Sequence, residues 1–408
     1  MGSPNGMTYK IAIVVHGRFY AFDLARALLA RGHDVRLFTN YPKWAVQRFG
    51  LPAECVRSHW VHGVTTRLLQ GAQDKLHLPI SQPWLHTSFG RWAAREVARE
   101  DWDIVYCFSG VAEELFAALR DSTASRWLVR ASSHIRTQAA ILEQEERRAG
   151  VSINRPSEWM IAREEREYLA ADRIVVLSRF AHESFEEFGL SQKLLLMPLG
   201  VSIQHFRAGP DKIEARRQRI LSRSRLRVLF VGTKSFRKGL IDLVQIARLV
   251  GERCELRLVG ATEASGRKLL GQMGSQAELL PPVPQSELPG VYEWADVFIF
   301  PTVEDGFPVV LAQAHASGLV ILATTNCSAR ELVHDGETGW ILPIRSPGAF
   351  VEKLKWCDEH RAELAEMVLR IHQAPGLRTW DDLARDHEEA ISQLGPAPCP
   401  TENTASTR

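Results

Sequence analysis

The amino-acid sequence predicts an α/β protein with two doubly wound, Rossmann-like domains that face each other across a cleft. Two observations predict this fold. Short apolar runs alternate with amphipathic helical segments along the first half of the chain, and the same alternation starts again in the second half. Each half opens on a buried-strand pattern, at Lys10–Val15 in the first and at Arg227–Gly232 in the second.

Length and composition agree with this class. The chain has 408 residues, enough for two or three domains with buried cores. Its hydrophobic content of 45% and formal charge of +2 are typical of a soluble globular protein and do not favour nucleic-acid binding. No apolar run reaches the length of a membrane span. Six scattered cysteines without a C-x-x-C pair favour a reducing cytoplasm.

The first half begins with a βαβ unit, in which a helix at Phe22–Arg31 separates strands at Lys10–Val15 and Val35–Thr39. Later apolar runs predict four more strands, at Ile104–Phe108, Arg126–Ala131, Ile174–Leu177 and Leu194–Met197. A helical segment rich in arginine, Pro210–Arg225, then separates the two halves. Its arginines are either a phosphate-binding patch or the solvated face of a helix beside the domain junction.

The second half repeats the alternation. Its predicted strands are Val228–Val231, Leu256–Val259, Ala277–Leu280, Val297–Phe300, Val320–Ala323 and Trp340–Leu342. Its predicted helices are Leu240–Val250, Ala264–Met273, Glu287–Trp294 and, after Gly376, Trp380–Leu394. The domain boundaries that follow are a first domain at 10–205, a second domain at 206–376 and a helix at 377–395 that crosses back to the first domain. Residues 1–9 resemble a cloning remnant, and residues 396–408 are expected to be a disordered tail.

The main candidate site is the loop Thr302–Pro308, which follows the apolar run Val297–Phe300 and precedes a helix of small residues. In open α/β sheets, ligands bind at the carboxyl ends of strands. A helix that starts near Pro308 would direct unpaired backbone N–H groups into the same space, which suits a phosphate. The alternative is an ordinary strand-to-helix turn.

Two further strand-end loops carry polar residues. Gly232–Gly239 places Lys234, Arg237 and Lys238 directly after a strand, where their charges could neutralise a diphosphate. This loop matches neither the Walker A nor the G-x-G-x-x-G pattern, so it could also be a turn with solvated charges. Thr324–Glu331 follows the predicted strand Val320–Ala323. Three such loops in one domain predict a pocket.

The order of these motifs resembles the donor domain of retaining glycosyltransferases of family four, which have the GT-B fold. The resemblance rests on FVG-x5-KG, on P-x-x-E-D-G-F-P-x-V-L-x-Q-A-x-A-S-G and on R-E-L-V-x-D-G-x-T-G, between Val228 and Pro343. The first half is similar through Arg130–Arg136, Ala171–Ser178 and Pro198–Val201. The bacterial polysaccharide and lipopolysaccharide glycosyltransferases are the members that the chain most resembles.

The resemblance implies an enzyme that moves a sugar from a nucleotide-diphosphate sugar, bound on the second domain, to an acceptor bound on the first, with retention of the anomeric configuration. Lys238 would stabilise the departing diphosphate. The backbone around Gly306, Phe307, Pro308 and Val309, together with Gly232, would hold the sugar and its phosphate. No cofactor other than the donor substrate is implied.

Departures from the family pattern concern its charged residues. The family has two glutamates eight positions apart, and this chain has Asp305 and Gln313 at those places. Gln313 can still hydrogen-bond a ribose, and Glu304 could share the role of the shorter Asp305. The usual arginine before the lysine is Thr233, which leaves Lys234 or Arg237 as substitutes. We interpret these differences as subfamily features.

Candidates from the first half complete the predicted site. His134 follows a predicted strand and would contact the sugar or the acceptor hydroxyl, and Gly17 in the first βα loop would approach the diphosphate. Asp101-Trp-Asp103 imitates a D-x-D metal motif, but it precedes a strand and so lies at the wrong edge of the sheet. We therefore predict no metal ion and, because no nucleophile with a positioned base is evident, direct transfer without a covalent enzyme intermediate.

The sequence leaves more than one class of acceptor possible. The segment 41–95 mixes tryptophans with basic residues, which indicates either contact with an anionic membrane at the inner face of the plasma membrane and a lipid-linked acceptor, or helix core with solvated charge. A glycan acceptor fits equally well. Two other functions remain as alternatives, a GT-B-fold sugar-nucleotide epimerase and a nucleotide-sugar-binding protein without turnover.

Overall fold

The structure, a computed structural model, describes residues 7–76 and 82–393. Most of the predicted N-terminal remnant and the whole of the predicted disordered tail lie outside these ranges. Two parallel sheets form the framework, and every strand that the sequence predicts overlaps an observed one. The predicted class of two doubly wound sheets is therefore confirmed.

The first sheet has seven strands in the order β3-β2-β1-β4-β5-β6-β7. These are β1 (Lys10–Val15), β2 (Asp34–Thr39), β3 (Val56–Ser58), β4 (Ile104–Phe108), β5 (Ser125–Arg130), β6 (Arg173–Val176) and β7 (Leu194–Leu196). The helices along this part of the chain are α1 (Ala21–Ala30), α2 (Lys43–Gln47), α3 (Trp60–Leu76), α4 (Gln82–Val97), α5 (Glu113–Ala118), α6 (Ile135–Ala149), α7 (Glu158–Ala170) and α8 (Arg179–Glu186). Strands β1 and β4 are almost entirely buried, as expected for central strands that are covered on both faces.

The second sheet has six strands in the order β10-β9-β8-β11-β12-β13. These are β8 (Leu226–Val231), β9 (Cys254–Val259), β10 (Glu278–Leu280), β11 (Val297–Phe300), β12 (Val320–Thr324) and β13 (Gly339–Leu342). Its helices are α9 (Pro210–Leu221), α10 (Leu240–Val250), α11 (Arg267–Leu270), α12 (Leu288–Trp294), α13 (Val309–Ala316), α14 (Pro347–Glu359) and α15 (Arg361–Gln373), and α16 (Trp380–Ser392) ends the described chain.

Contacts divide the chain into two compact units. Unit 1 contains Met1–Val129, Arg166–Arg173 and Trp380–Arg408, and unit 2 contains Arg130–Glu165 and Ile174–Thr379. In unit 1, α16 packs on α1, and Glu388 of α16 accepts hydrogen bonds from Arg31 at 2.7 Å and from the His33 ring at 2.8 Å. The predicted boundaries near residues 205 and 376 stay predictions.

Helix α9 in unit 2 contains a buried arginine, which neither interpretation of the arginine-rich segment anticipated. Arg216 is only 2% exposed, and its guanidinium donates to the carbonyl oxygens of Ala295 at 2.8 Å and Tyr292 at 3.1 Å and to that of Ser317. Burial lowers its pKa to about 10. Arg216 therefore joins α9 to the carboxyl ends of α12 and α13.

Within residues 7–76 and 82–393, no helix has the length and apolar character needed to cross a bilayer.

Candidate functional site

The candidate site lies where the strand order of the second sheet reverses. From β8 the order runs to β9 and β10 on one side and to β11, β12 and β13 on the other. The loops after β8 and β11 therefore leave the sheet side by side and in different directions, which is the usual position of a ligand in an open α/β sheet. All residues of this site belong to unit 2.

Hydrogen bonds join the three predicted loops. Arg237 O in the first loop accepts from Val303 N and from Thr302 Oγ1 in the second, both at 3.0 Å. Asp305 N donates to Asn326 O in the third loop at 2.9 Å, and Asn326 Nδ2 donates back to Val303 O at 3.1 Å. The loops therefore converge, as the sequence predicts.

Lys238 and Asp305 form an ion pair between the first two loops. The Lys238 Nζ contacts Asp305 Oδ2, and their side chains are 18% and 15% exposed. Lys238 ends a short 3-10 helix, Phe236–Lys238, whose N-cap Ser235 accepts a hydrogen bond from Lys238 N at 3.3 Å. A cation and a carboxylate, both within reach of solvent, thus stand together at the strand ends.

Glu304, next to Asp305, has a different environment. Its side chain is fully buried, and its Oε1 accepts from Ser133 N at 3.0 Å and from Ser133 Oγ at 2.9 Å. Its Oε2 accepts from Gln138 Nε2 at 2.9 Å and from Arg237 Nε at 2.7 Å. Four donors therefore occupy the Glu304 carboxylate, which leaves no exposed atom of it for a sugar.

The charge of Glu304 is stabilised by these contacts. Burial alone would raise its pKa, but the Arg237 charge and the hydrogen bonds from Gln138 and Ser133 outweigh burial and lower the pKa to about 2. The carboxylate is therefore ionised at neutral pH. The sequence-based suggestion that Glu304 shares the role of Asp305 needs correction, because this placement favours a positioning role for Glu304.

Arg237 and the amino end of α6 complete this network. Arg237 also donates through Nη2 to Ser132 Oγ at 2.9 Å, and about a third of its side chain, 34%, is exposed. Gly306 lies against the same segment, because a Cβ atom on Gly306 would stand 2.0 Å from Ala131 O. Only glycine permits this approach of the loop to the start of α6.

Lys234 does not reach the ion pair. Its Nζ donates to Leu280 O at 2.9 Å and to Gly260 O, and the residue is 2% exposed. Burial lowers its pKa. Lys234 therefore joins the ends of β9 and β10. Lys234 and Arg237 were the two suggested substitutes for the missing arginine, and only Arg237 faces the site.

Gly232 and Thr233 form the start of the first loop. Gly232 has φ 153°, and the position of a Cβ on Gly260 would lie 2.1 Å from Gly232 O, so the two strand ends approach closely. Thr233 is exposed. Their predicted contact with the donor stays a prediction.

Helix α13 follows the second loop but starts one residue later than expected. Pro308 is its N-cap, with φ −70° and ψ 106°, rather than a residue of its first turn. Phe307 and Pro308 are buried, and Val309 is 42% exposed. Gln313 is 6% exposed, and its Oε1 accepts a hydrogen bond from the buried Tyr292 hydroxyl at 2.9 Å. This contact identifies Oε1 as the acceptor atom and so fixes the orientation of the Gln313 amide group.

His134 is the N-cap of α6 and is 2% exposed. Its Nδ1 accepts from Arg136 N at 3.3 Å, and its ring stacks on Phe188 with centroids 3.9 Å apart. Burial, together with the charges of Arg130 and Arg136, lowers its pKa to about 4. These contacts give His134 a structural role at neutral charge, and its predicted contact with a sugar or acceptor stays a prediction.

Gly17 lies in unit 1, in the loop after β1. It has φ 108°, its N donates to Asn40 Oδ1 at 2.8 Å, and its O accepts from Thr39 Oγ1 at 2.9 Å. The loop backbone is therefore fixed against the end of β2. Its predicted contact with a diphosphate stays a prediction.

Asp103 of the D-x-D imitation accepts from Lys10 N at 2.7 Å, at the amino edge of the first sheet. In the part of the chain that the structure describes, no group of three or more His, Cys, Asp or Glu side chains could hold a metal ion.

Sequence reasoning missed the partners of Glu304. Ser133 and Gln138 lie 171 and 166 residues before it, and Arg130 donates to Gln138 Oε1 at 2.8 Å and to Ser133 O at 3.2 Å. Tyr292, the partner of Gln313, was also missed. The polar cluster after a predicted strand at 130–138 was the only signal for the first group.

Comparison with known proteins identifies the family. The model described as "Glycosyltransferase Family 4" matches residues 18–205, and that described as "Glycosyl transferases group 1" matches residues 225–359. A D-inositol 3-phosphate glycosyltransferase of Geodermatophilus obscurus is 25% identical over 93% of this chain and 85% of its own length. That of Streptomyces avermitilis is 28% identical over 53% of this chain, which spans half of that relative.

Two further comparisons are informative. A putative colanic acid biosynthesis glycosyltransferase of Escherichia coli, WcaL, is 26% identical over 45% of this chain and 46% of its own length. The crystal structure of Anabaena HepE in complex with UDP matches the fold with a TM-score of 0.66 and 14% identity, over 94% of this chain and all of that chain. The two family models and this shared fold lead to one conclusion: the chain belongs to the family 4 glycosyltransferases and has the GT-B fold.

Proposed function

We propose that the chain transfers a glycosyl group from a nucleotide-diphosphate sugar to a hydroxyl acceptor, with retention of configuration. The observation that carries the proposal is the Lys238–Asp305 ion pair at the reversal point of the second sheet, with Arg237 partly exposed beside it. The HepE structure contains UDP, which supports a nucleotide as the ligand of such a site.

The proposed chemistry follows from how charge develops. The bond from the sugar C1 to the diphosphate oxygen breaks, so negative charge builds on the diphosphate and positive charge on the sugar. In this proposal Lys238 and Arg237 stabilise the diphosphate, and their partly exposed ion pairs at the strand ends support this role. The acceptor oxygen bonds to C1 from the same face, and its proton passes to the departing diphosphate oxygen. No covalent enzyme intermediate forms.

Asp305 has the sugar-side role in this proposal. In the structure it neutralises Lys238. A donor diphosphate competes for the Lys238 ammonium, which frees the Asp305 carboxylate to face the sugar, where the positive charge develops. Glu304 has a positioning role, because it holds Arg237 and the start of α6 in place.

Gln313 takes the ribose end of the donor. Because Tyr292 donates to Gln313 Oε1, the amide N–H groups of Gln313 are directed elsewhere and serve as donors to a ribose oxygen. This contact lacks the charge that a glutamate would supply, so we expect weaker ribose binding than in a family member with glutamate.

We propose further that the reaction needs no metal ion or cofactor, because Lys238 and Arg237 supply the positive charge at the diphosphate. Turnover that is unchanged after dialysis against EDTA supports this point. Activity that disappears with EDTA and returns with Mg²⁺ or Mn²⁺ contradicts it.

The acceptor class is a hydroxyl of a glycan or of a lipid-linked sugar. The relatives support no single choice, because one group is named for inositol 3-phosphate and WcaL for colanic acid. A cytoplasmic location, with contact at the inner face of the plasma membrane, is part of the proposal.

One experiment separates this function from its alternatives. The protein is incubated with UDP-, GDP-, ADP- and dTDP-sugars and candidate acceptors, and NMR follows the anomeric signals. A transferred sugar with the donor's configuration supports the proposal. Inversion, a glycosyl-enzyme adduct by mass spectrometry, an epimerised donor without acceptor, or binding without turnover each contradicts it.

A further inference from the structure

Helix α3 in unit 1 has its polarity reversed relative to an ordinary surface helix. His62 and Thr66 are 4% and 5% exposed, whereas Trp60, Val61 and Leu68 are 55%, 53% and 70% exposed. A surface helix of a globular protein normally turns its apolar side chains towards the core. Here the polar side chains face inward and the apolar ones face outward.

Contacts on the inner face fix this orientation. A Cβ on Gly63 would lie 2.1 Å from Asn40 O, so the helix backbone is pressed against the end of β2. The His62 Nε2 lies 3.1 Å from Leu85 O and 3.2 Å from Ser88 Oγ, both of α4. Rotating α3 to bury Leu68 would break these contacts with α4.

The outward side chains form one apolar surface, which we call the α3 patch. Trp84 of α4 is 51% exposed, and its ring stacks on His62 with centroids 6.1 Å apart, so it lies beside α3. The α3 patch consists of Trp60, Val61, Val64, Leu68, Leu69 and Trp84. Exposed apolar surface that is concentrated in this way marks an interaction site.

The segment that carries most of the α3 patch is rich in positive charge. The Arg67 guanidinium lies 5.4 Å from the centroid of the Tyr41 ring, and that of Arg48 lies 5.0 Å from the exposed Trp44 ring. Residues 41–69 contain four lysine and arginine residues against one acidic residue, Glu54. A partner that complements such a surface has an apolar layer bordered by negatively charged groups.

We propose that the α3 patch docks on an anionic lipid bilayer. Leu68, Val61 and Val64 enter the boundary between headgroups and acyl chains, and Trp60 and Trp84 lie at the level of the headgroups, where indole rings prefer to be. Arg67, which lies on α3 itself, contacts lipid phosphates. The proposal rests on the membrane contact named under the proposed function and gives it a place in the fold, but it requires none of the donor chemistry, so membrane docking and glycosyl transfer can fail separately.

The test is sedimentation of the whole protein with vesicles of phosphatidylcholine, with and without a third of phosphatidylglycerol. We expect binding to the anionic vesicles that weakens with salt. Trp60→Ser combined with Leu68→Ser should weaken it at least tenfold, and Arg67→Glu about 25-fold, since each charge near an anionic surface changes affinity about fivefold. The matched controls are Leu249→Ser, at a position that is 58% exposed on α10, and Arg267→Glu, and both should bind as wild type.

Circular dichroism should show the patch variants folded, because the replaced side chains are exposed. The proposal is overturned if the wild type does not sediment with anionic vesicles, or if the patch variants bind as the controls do. It is also overturned if sedimentation velocity shows a dimer that the double variant dissociates while vesicle binding is unaffected.

Discussion

Glu304 offers the sharpest test of how the site is built. Replacing it by glutamine keeps the shape of the side chain but removes the charge that faces Arg237 and turns one acceptor oxygen into a donor. The pKa of Glu304 is lowered from 4.5 to about 2, which at about 1.4 kcal/mol for each pKa unit corresponds to about 3 kcal/mol in favour of the folded state. We expect Glu304→Gln to lower the free energy of unfolding by about that amount at pH 7.

The dependence on pH has a definite sign. Because the pKa is lower in the folded state, the ionised carboxylate stabilises the protein fully above pH 4.5, and this stabilisation is lost as the pH falls towards 2. The difference in unfolding free energy between wild type and Glu304→Gln should therefore shrink to roughly 1 kcal/mol at about pH 3.

Urea denaturation followed by circular dichroism measures the free energies, and hydrogen exchange of the peptide around Ser133 locates the effect. Exchange at the start of α6 should rise in Glu304→Gln, because Ser133 N loses its carboxylate acceptor. The control is Glu143→Gln, whose side chain is 48% exposed and pairs with Arg147, and which should change stability by less than about 0.5 kcal/mol. Equal stability of the Glu304 and Glu143 variants, or a difference that does not vary with pH, would refute this reasoning.

Three other substitutions test the remaining contacts. Lys238→Ala and Asp305→Ala should each lower kcat about 100-fold or more in a nucleotide-release assay, because each removes a charge that matches one developing in the transition state; exposed Lys268→Ala is the control, and wild-type turnover in both site variants would mean that the site is elsewhere. Gly306→Ala should lower the free energy of unfolding by about 1–3 kcal/mol, because its Cβ would overlap Ala131 O, whereas Gly290→Ala, with no atom within 4 Å of its Cβ, should not; equal urea midpoints would contradict the close approach. Gln313→Ala should raise the donor KM about tenfold with little change in kcat, and Gln313→Glu should lower it, because only the charged acceptor strengthens a ribose contact; a kcat loss with constant KM would place Gln313 at the reacting bond.

The sheets were readable from the sequence because parallel strands buried on both faces leave continuous apolar runs. The strand that was missed, β3, is a three-residue edge strand with Arg57 in its middle, so it has no such run. The predicted helix at Ala264–Met273 is broken into 3-10 turns around the four-residue α11. Gly266 stands at this break, where a Cβ would lie 2.3 Å from Leu240 Cδ2, so tertiary packing rather than helical periodicity decides the backbone there.

The loops of the candidate site were predictable for a related reason. Each loop follows an apolar run directly, and the carboxyl ends of neighbouring parallel strands must meet at one edge of the sheet. What the sequence could not supply is the direction of each side chain within a loop. Lys234, Arg237 and Lys238 are basic residues of one loop, and the sequence does not distinguish their roles. In the structure Lys234 donates to a carbonyl oxygen at a strand end, Arg237 pairs with Glu304 and Lys238 pairs with Asp305.

The same argument divides the two neighbouring carboxylates. Glu304 and Asp305 are adjacent, and the sequence suggested that they share one role. The two side chains nevertheless point to different partners, so only Asp305 keeps an exposed side for a ligand. Glu304 turns towards α6 and is held by four donors, while Asp305 turns towards Lys238 and keeps some exposure. The shorter Asp305 in place of a glutamate is therefore not compensated by its neighbour, and under the proposed function any loss of reach towards the sugar would have to be made up by the position of the donor on Lys238 and Arg237.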